Sequence, residues 1–148
     1  MEKHIIIPAV CLILECNGKW FVGRRCNTGY CDGCLNMPAG HIDPDETPRE
    51  AAVREAKEEV GIDVSPDDIN FVHVQYNRNL EGRHDRTHYY FKVECCDQQP
   101  VNKEPHKCSE VVWIPAGERL DEFVPFMKEA LESMLQGNQY SEFYEEQQ

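Results

Sequence analysis

Apolar side chains recur along this chain with two different periods. A strand-like run over 5–15 is followed by Asn17-Gly18 and a second run over 19–25. Asn-Gly between two such runs is a strong hairpin signal, because a two-residue turn needs positive φ at both central positions. Two longer runs, 69–79 and 87–96, flank the polar Glu81-Gly82-Arg83 and predict a second hairpin. A short strand is expected over 111–114 and a turn over 115–120. Over 123–135 the period becomes helical, with Phe126, Ala130, Leu131, Met134 and Leu135 expected to face inward. Residues 1–137 read as one domain. Beyond them the polar, acidic segment 138–148 is expected to fray, despite Tyr140, Phe143 and Tyr144.

Between the two hairpins lies a helix whose polar face is unusual. Thr47 suits an N-cap, Pro48 the first helical position, and Glu50 completes a capping box. Gly61 supplies the stop, since glycine tolerates the left-handed conformation just past a helix end. Ala52, Val53, Ala56 and Val60 form an apolar stripe, while Glu55, Glu58 and Glu59 converge on the opposite side. Like charges at that spacing cost about 0.2–0.5 kcal/mol per pair, so a purely structural helix gains nothing from them. A hard divalent cation reverses that sign, because Mg²⁺ takes carboxylate oxygens together with substrate phosphates. The preceding bend, Met37-Pro38-Ala39-Gly40-His41, has small residues that let backbone groups approach a metal or phosphate.

Gly40, then Glu46 after five residues, then Arg54-Glu55-Ala56-Lys57-Glu58-Glu59-Val60-Gly61-Ile62 after seven more, resembles the Nudix hydrolase signature. Asn27-Thr28-Gly29-Tyr30 and Glu104-Pro105-His106-Lys107-Cys108 extend the likeness to a bacterial-type branch, over roughly 4–135. The resemblance implies an α/β/α sandwich with a mixed β-sheet, and hydrolysis of a diphosphate linkage with Mg²⁺, or Mn²⁺ as a substitute. It implies that Glu58 and Glu59 ligate metal with the Ala39 carbonyl, and that Glu55 reaches metal or activates water. Arg54 and Glu46 are then expected to orient carboxylates.

Members of the family often take a further acidic residue from outside this motif. Glu94 is the candidate, since period-two alternation puts it with His88, Tyr90 and Lys92 on the polar side of a strand. Arg24 or Arg25 is a candidate phosphate ligand, with His41 beside the loop glycine. Tyr30, Tyr76, Tyr89, Phe91 and Trp113 could stack on a base or equally belong to the core. The short single-domain chain looks most like nucleoside triphosphate pyrophosphatases, including those that act on oxidised nucleotides of the 8-oxo-dGTP kind. The ADP-ribose branch shows a proline after the motif, and none falls between Pro66 and Pro100; Tyr76 arrives early for the dinucleoside polyphosphate branch. Nucleotide sugars and other nucleoside diphosphate derivatives are the alternative substrates, and a non-catalytic nucleotide or RNA binding module a third reading.

A net charge of −12 disfavours wrapping a nucleic-acid polymer, which calls for basic stripes that release counterions. A small phosphorylated substrate needs only a metal and a few local cations. The apolar run of the first strand is too short to span a bilayer, so the default expectation is a cytoplasmic protein, monomer or homodimer. Eight cysteines raise the question of zinc. Cys26, Cys31 and Cys34 would need His106 and Cys108 as a second cluster, at a spacing atypical of structural zinc. Nor does the CxxC open a helix, as a thioredoxin-like motif would. Reduced thiols are the expectation, with Cys11, Cys95 and Cys96 as small apolar side chains.

Overall fold

A computed structural model of the chain describes residues 1–145. Its first hairpin is formed by β1 (Ile6–Cys16) and β2 (Lys19–Arg25), turning at Asn17 and Gly18, both at positive φ. Two short strands follow, β3 (Leu35–Asn36) and β4 (Ala39–His41), and then α1 (Pro48–Val60). The second hairpin, β5 (Asn70–Asn79) and β6 (Asp85–Glu94), precedes β7 (Cys108–Pro115), α2 (Pro125–Leu135) and β8 (Tyr140–Glu145).

All eight strands belong to one mixed sheet, ordered β3-β2-β1-β6-β5-β8, with β4 on β1 and β7 on β2. β1 is its centre: it runs parallel to β6 along its length, while Ala9, Val10 and Cys11 pair antiparallel with β4. Its even positions Val10, Leu12 and Leu14 pack with Phe21, Phe91, Val93 and the Ala51, Ala52, Ala56 and Val60 face of α1. Its odd positions Cys11 and Ile13 pack with Trp20, Val22, Tyr90, Ile114 and Met127, Ala130 and Leu131 of α2. Two helices on opposite faces of a mixed sheet make the α/β/α sandwich expected from the sequence. Small residues on α1 let the helix lie close to the sheet, with its carboxylates toward one end.

Burial on both faces corrects several expectations. His88 and Tyr90 are buried beneath α2, so β6 has no polar side that could deliver Glu94 to a site. Within α2, Met127 is buried where Leu135 was expected, and Leu135 is half exposed. The segment after Gly137 is a strand as far as Glu145, parallel to β5 with Val74 opposite Tyr140; the rest of the expected tail, 146–148, lies outside the described residues. Buried His73 explains this order. Its ring nitrogens contact the Asn138 carbonyl oxygen and Ser141 Oγ, each at 2.8 Å, and the Ser141 hydroxyl donates to Glu129 Oε2 of α2 at 2.9 Å. Cys96 is not an apolar filler either. It forms a disulfide with Cys16, whereas Cys11, Cys26, Cys31, Cys34, Cys95 and Cys108 are free thiols.

Candidate active site

The caps of α1 form as the sequence predicts. The Thr47 side chain accepts from Glu50 N, the Glu50 carboxylate accepts from Thr47 N, and Gly61 closes the helix at φ 73°. These caps fix where the helix begins and ends, and its packed Ala51, Ala52, Ala56 and Val60 face sets its rotation against the sheet. Ala39-Gly40-His41 is ordered as the edge strand β4 rather than a free bend, and Gly40 sits directly under Glu55. A Cβ at Gly40 would lie 2.0 Å from Glu55 Oε1, so only glycine admits this carboxylate.

Arg54 gathers the acidic groups. Its guanidinium donates to Glu46 Oε1 at 2.6 Å, Glu46 Oε2 at 3.1 Å, Glu55 Oε1 at 2.8 Å, Glu58 Oε2 at 3.2 Å and the His41 carbonyl at 2.9 Å. These partners hold Arg54 charged, and its bidentate grip holds the Glu46 carboxyl below the usual range. Arg54 thus joins three carboxylates, with Glu46 bound through both oxygens.

Glu55 and Glu59 are raised by burial, an effect that nearby Arg54 partly offsets at Glu55. At Glu59, burial and the neighbouring Glu55 and Glu104 carboxylates push the group up to about 8, against one donor, Ala39 N to Oε2 at 3.0 Å. Glu58 is the most exposed of the three, with 57% of its side chain accessible.

These side chains form one wall of a cavity of about 660 Å³, a size suited to a nucleotide. Glu55, Glu58, Glu59 and Glu104 line it together with Arg25, Lys107 and His41, and with Asn27, Thr28, Asn36 and Asn102. An anionic substrate would be repelled by this wall unless cations intervened. Hard oxygen donors, clustered and partly desolvated, suit a divalent magnesium-type ion. Among the described residues no three His, Cys, Asp or Glu side chains already close into a cage. Arg54 holds Glu55 and Glu58, and Ala39 N donates to Glu59.

Several sequence candidates lie elsewhere. Glu94 lines a separate cleft with Asp63, Asp67 and Asp97 and lies 3.7 Å from Lys92 Nζ. Glu104 is the acidic residue that the loop after β6 carries to the cavity instead. Its place in the Glu104–Cys108 stretch of the family likeness is the one signal the sequence offers for it. Arg24 is engaged by Glu110 and Glu122, and Tyr30 donates its hydroxyl to Glu145 Oε1 at 2.6 Å, so neither lines the cavity. Arg25 does, though its guanidinium donates to the Tyr30 carbonyl and Thr28 Oγ1. Of the proposed stacking residues, Phe91 is core, Trp113 packs edge-on against Phe21, and none lines the cavity. Cys26, Cys31 and Cys34 join no metal-binding group among the described residues.

The NUDIX domain model matches residues 6–134. An 8-oxo-dGTP diphosphatase of Escherichia coli is 33% identical over 120 residues, covering 79% of this chain and 86% of its own. Phosphatase NudJ of the same species is 29% identical over 145 residues, covering 94% and 88%. Among solved structures, the MutT protein of Methanosarcina mazei superposes with a TM-score of 0.75 at 17% identity, over 93% of this chain and 99% of its own. The chain belongs to the Nudix family, and its enzyme class is that of a Nudix hydrolase acting on nucleotide derivatives.

Proposed function

We propose that this enzyme is a Mg²⁺-dependent pyrophosphohydrolase that cleaves a nucleoside triphosphate, canonical or oxidised, to the monophosphate and pyrophosphate. The observation that carries the reading is the gathering of Glu55, Glu58, Glu59 and Glu104 on one wall of a nucleotide-sized cavity. The carboxylates of Glu58, Glu59, Glu55 and Glu104 and the Ala39 carbonyl are the groups that would hold the metal. When bound, Mg²⁺ neutralises phosphoryl oxygens and lowers the pKa of water, and Mn²⁺ can do the same.

The chain's own residues do the rest. Arg54 pins Glu55 through Oε1, and among the described residues Oε2 of Glu55 has no hydrogen bond, so it can accept a proton from the attacking water. Gly40 gives this carboxylate its room. Arg25, Lys107 and His41, which share the cavity with these carboxylates, would meet the phosphate chain and align the diphosphate for in-line displacement.

In a second reading the same bond is cut in a nucleotide sugar or another nucleoside diphosphate derivative: none of Tyr30, Tyr76, Tyr89, Phe91 and Trp113 lines the cavity, and the phenylalanine that does, Phe21, is buried. Recognition then rests on the shared diphosphate. A hydrolysis screen over canonical and oxidised triphosphates, nucleotide sugars and dinucleotides, with products identified, tests both. Pyrophosphate release supports the first reading; two phosphorylated fragments without pyrophosphate would replace it with the second. No described helix is long and apolar enough to cross a membrane.

A further inference from the structure

After β6 the chain turns back along the C-terminal end of α1, and its contacts there are continuous. Cys96 is bonded to Cys16, so the ends of the parallel strands β1 and β6 are joined covalently. Two residues on, Gln98 clasps the backbone of Asp63: its Nε2 donates to the carbonyl at 2.6 Å, and its Oε1 accepts from the amide at 2.8 Å. Val101 N then donates to the Val60 carbonyl at 3.0 Å and Lys103 N to the Glu59 carbonyl at 3.2 Å. Those carbonyls belong to the last turn of α1, which has no helical partners of its own. Asn102 closes the strap: its Nδ2 donates to the Cys108 carbonyl at 2.8 Å and its Oδ1 accepts from Glu104 N at 3.0 Å. The strap thus caps the helix that bears Glu55, Glu58 and Glu59, and it delivers Glu104 to the same cavity.

We propose that the Cys16–Cys96 bridge is a redox-sensitive root for this strap: closed, it holds Glu104 against the acidic wall, and reduced, it loosens the strap and weakens divalent-metal binding. The inference rests on the reading of Glu104 as part of the metal site. A dithiol reductant opens the bridge by two exchange steps. The S–S bond breaks, Cys16 and Cys96 each become a thiol, and the two electrons and two protons come from the reductant, whose own sulfurs pair. Cys96 is exposed and Cys16 half-buried, so the reductant reaches the bridge from solvent. The adjacent free thiol does not compete: Cys95 is buried, which pushes it up to about 11.

The test compares the oxidised protein with the same protein in dithiothreitol and with a Cys16→Ser/Cys96→Ser variant. Amide hydrogen exchange at Val101 and Lys103 reads the strap, and Mn²⁺ titration followed by electron paramagnetic resonance reads the site without turnover. Opening the bridge is expected to speed exchange at both amides and to weaken Mn²⁺ binding on the order of tenfold, typical of losing a contact that positions a ligand. Gln98→Ala, with the bridge intact, is expected to shift both readouts in the same direction. Unchanged exchange on reduction overturns the proposal. Faster exchange with unchanged Mn²⁺ affinity overturns the link to metal, and Glu104→Gln then separates the two failures. If that variant weakens Mn²⁺ binding, the coupling is wrong; if it does not, the reading of Glu104 is wrong.

Discussion

Gly40 and Glu55 occupy each other's space: a Cβ on the glycine would stand 2.0 Å from Glu55 Oε1 and 2.3 Å from its carboxyl carbon. The glycine of the motif is thus a steric partner of its first helical glutamate, because strand β4 passes directly beneath α1. Gly40→Ala is expected to fold, since residue 40 is not at positive φ, while driving Glu55 from its place. A displacement of about 1 Å at a reacting group costs roughly a hundredfold in rate. Steady-state kinetics should therefore show kcat falling by that order, with a thermal midpoint near that of the wild type.

Arg54 joins Glu46, Glu55, Glu58 and the His41 carbonyl in one planar fork, a geometry that an ammonium cannot copy. Arg54→Lys is expected to lower kcat/KM by about ten- to a hundredfold and to raise the Mg²⁺ concentration needed for half-maximal rate. Titration of rate against Mg²⁺ checks this, and an unchanged metal requirement would show that the fork does not position ligands.

Glu104 and Glu94 provide a matched pair. Both follow the centre of β6, but only Glu104 lines the cavity, while Glu94 lies in a separate cleft beside Lys92. Glu104→Gln is expected to reduce turnover at least about tenfold, and Glu94→Gln to stay within about twofold. Rates measured side by side at saturating Mg²⁺ decide between them.

The contrast between those two residues marks where sequence reasoning stops. The capping box of Thr47 and Glu50, the Gly61 stop and the Asn17-Gly18 turn are local, and each is present in the structure as read. The acidic face of α1 was legible for the same reason, because helical spacing alone brings Glu55, Glu58 and Glu59 together. Glu94 was misplaced because alternation assumes one wet face, whereas β6 is covered by α1 on one side and α2 on the other. Glu104 depends on how a loop lies across the end of α1, through contacts between residues about 40 positions apart, such as Val101 with Val60. The order of β8 depends on buried His73 meeting Ser141 across the sheet, and nothing in the polar segment itself signals that partner.

Buried His88 gives the fold a pH dependence separate from the metal site. It stacks on Phe126 at 4.5 Å, its Nδ1 has no partner, and burial lowers it from 6.5 to about 4, helped by the charges of Arg86 and His41. Between those values the unfolded chain binds the proton and the folded chain does not. The contribution of this group is therefore complete above about pH 6.5 and falls as pH drops toward 4, by roughly 3 kcal/mol. Glu59, pushed up to about 8, acts with the opposite sign over the same range, so the check is the difference between wild type and His88→Gln in urea unfolding at pH 7 and pH 4.5: the wild type should lose more stability than the variant on acidification.

The central claim is that the carboxylate wall performs metal-dependent cleavage of a diphosphate bond, and Glu59 is the member tied to the β4 strand, accepting from Ala39 N at 3.0 Å. The direct measurement is product formation from a nucleoside triphosphate panel by wild type and Glu59→Gln, with Mg²⁺ and with chelator. The account predicts monophosphate and pyrophosphate from wild type with Mg²⁺, and a loss of about a thousandfold or more with the variant or the chelator. Near wild-type turnover by Glu59→Gln, or turnover indifferent to chelator, would contradict it.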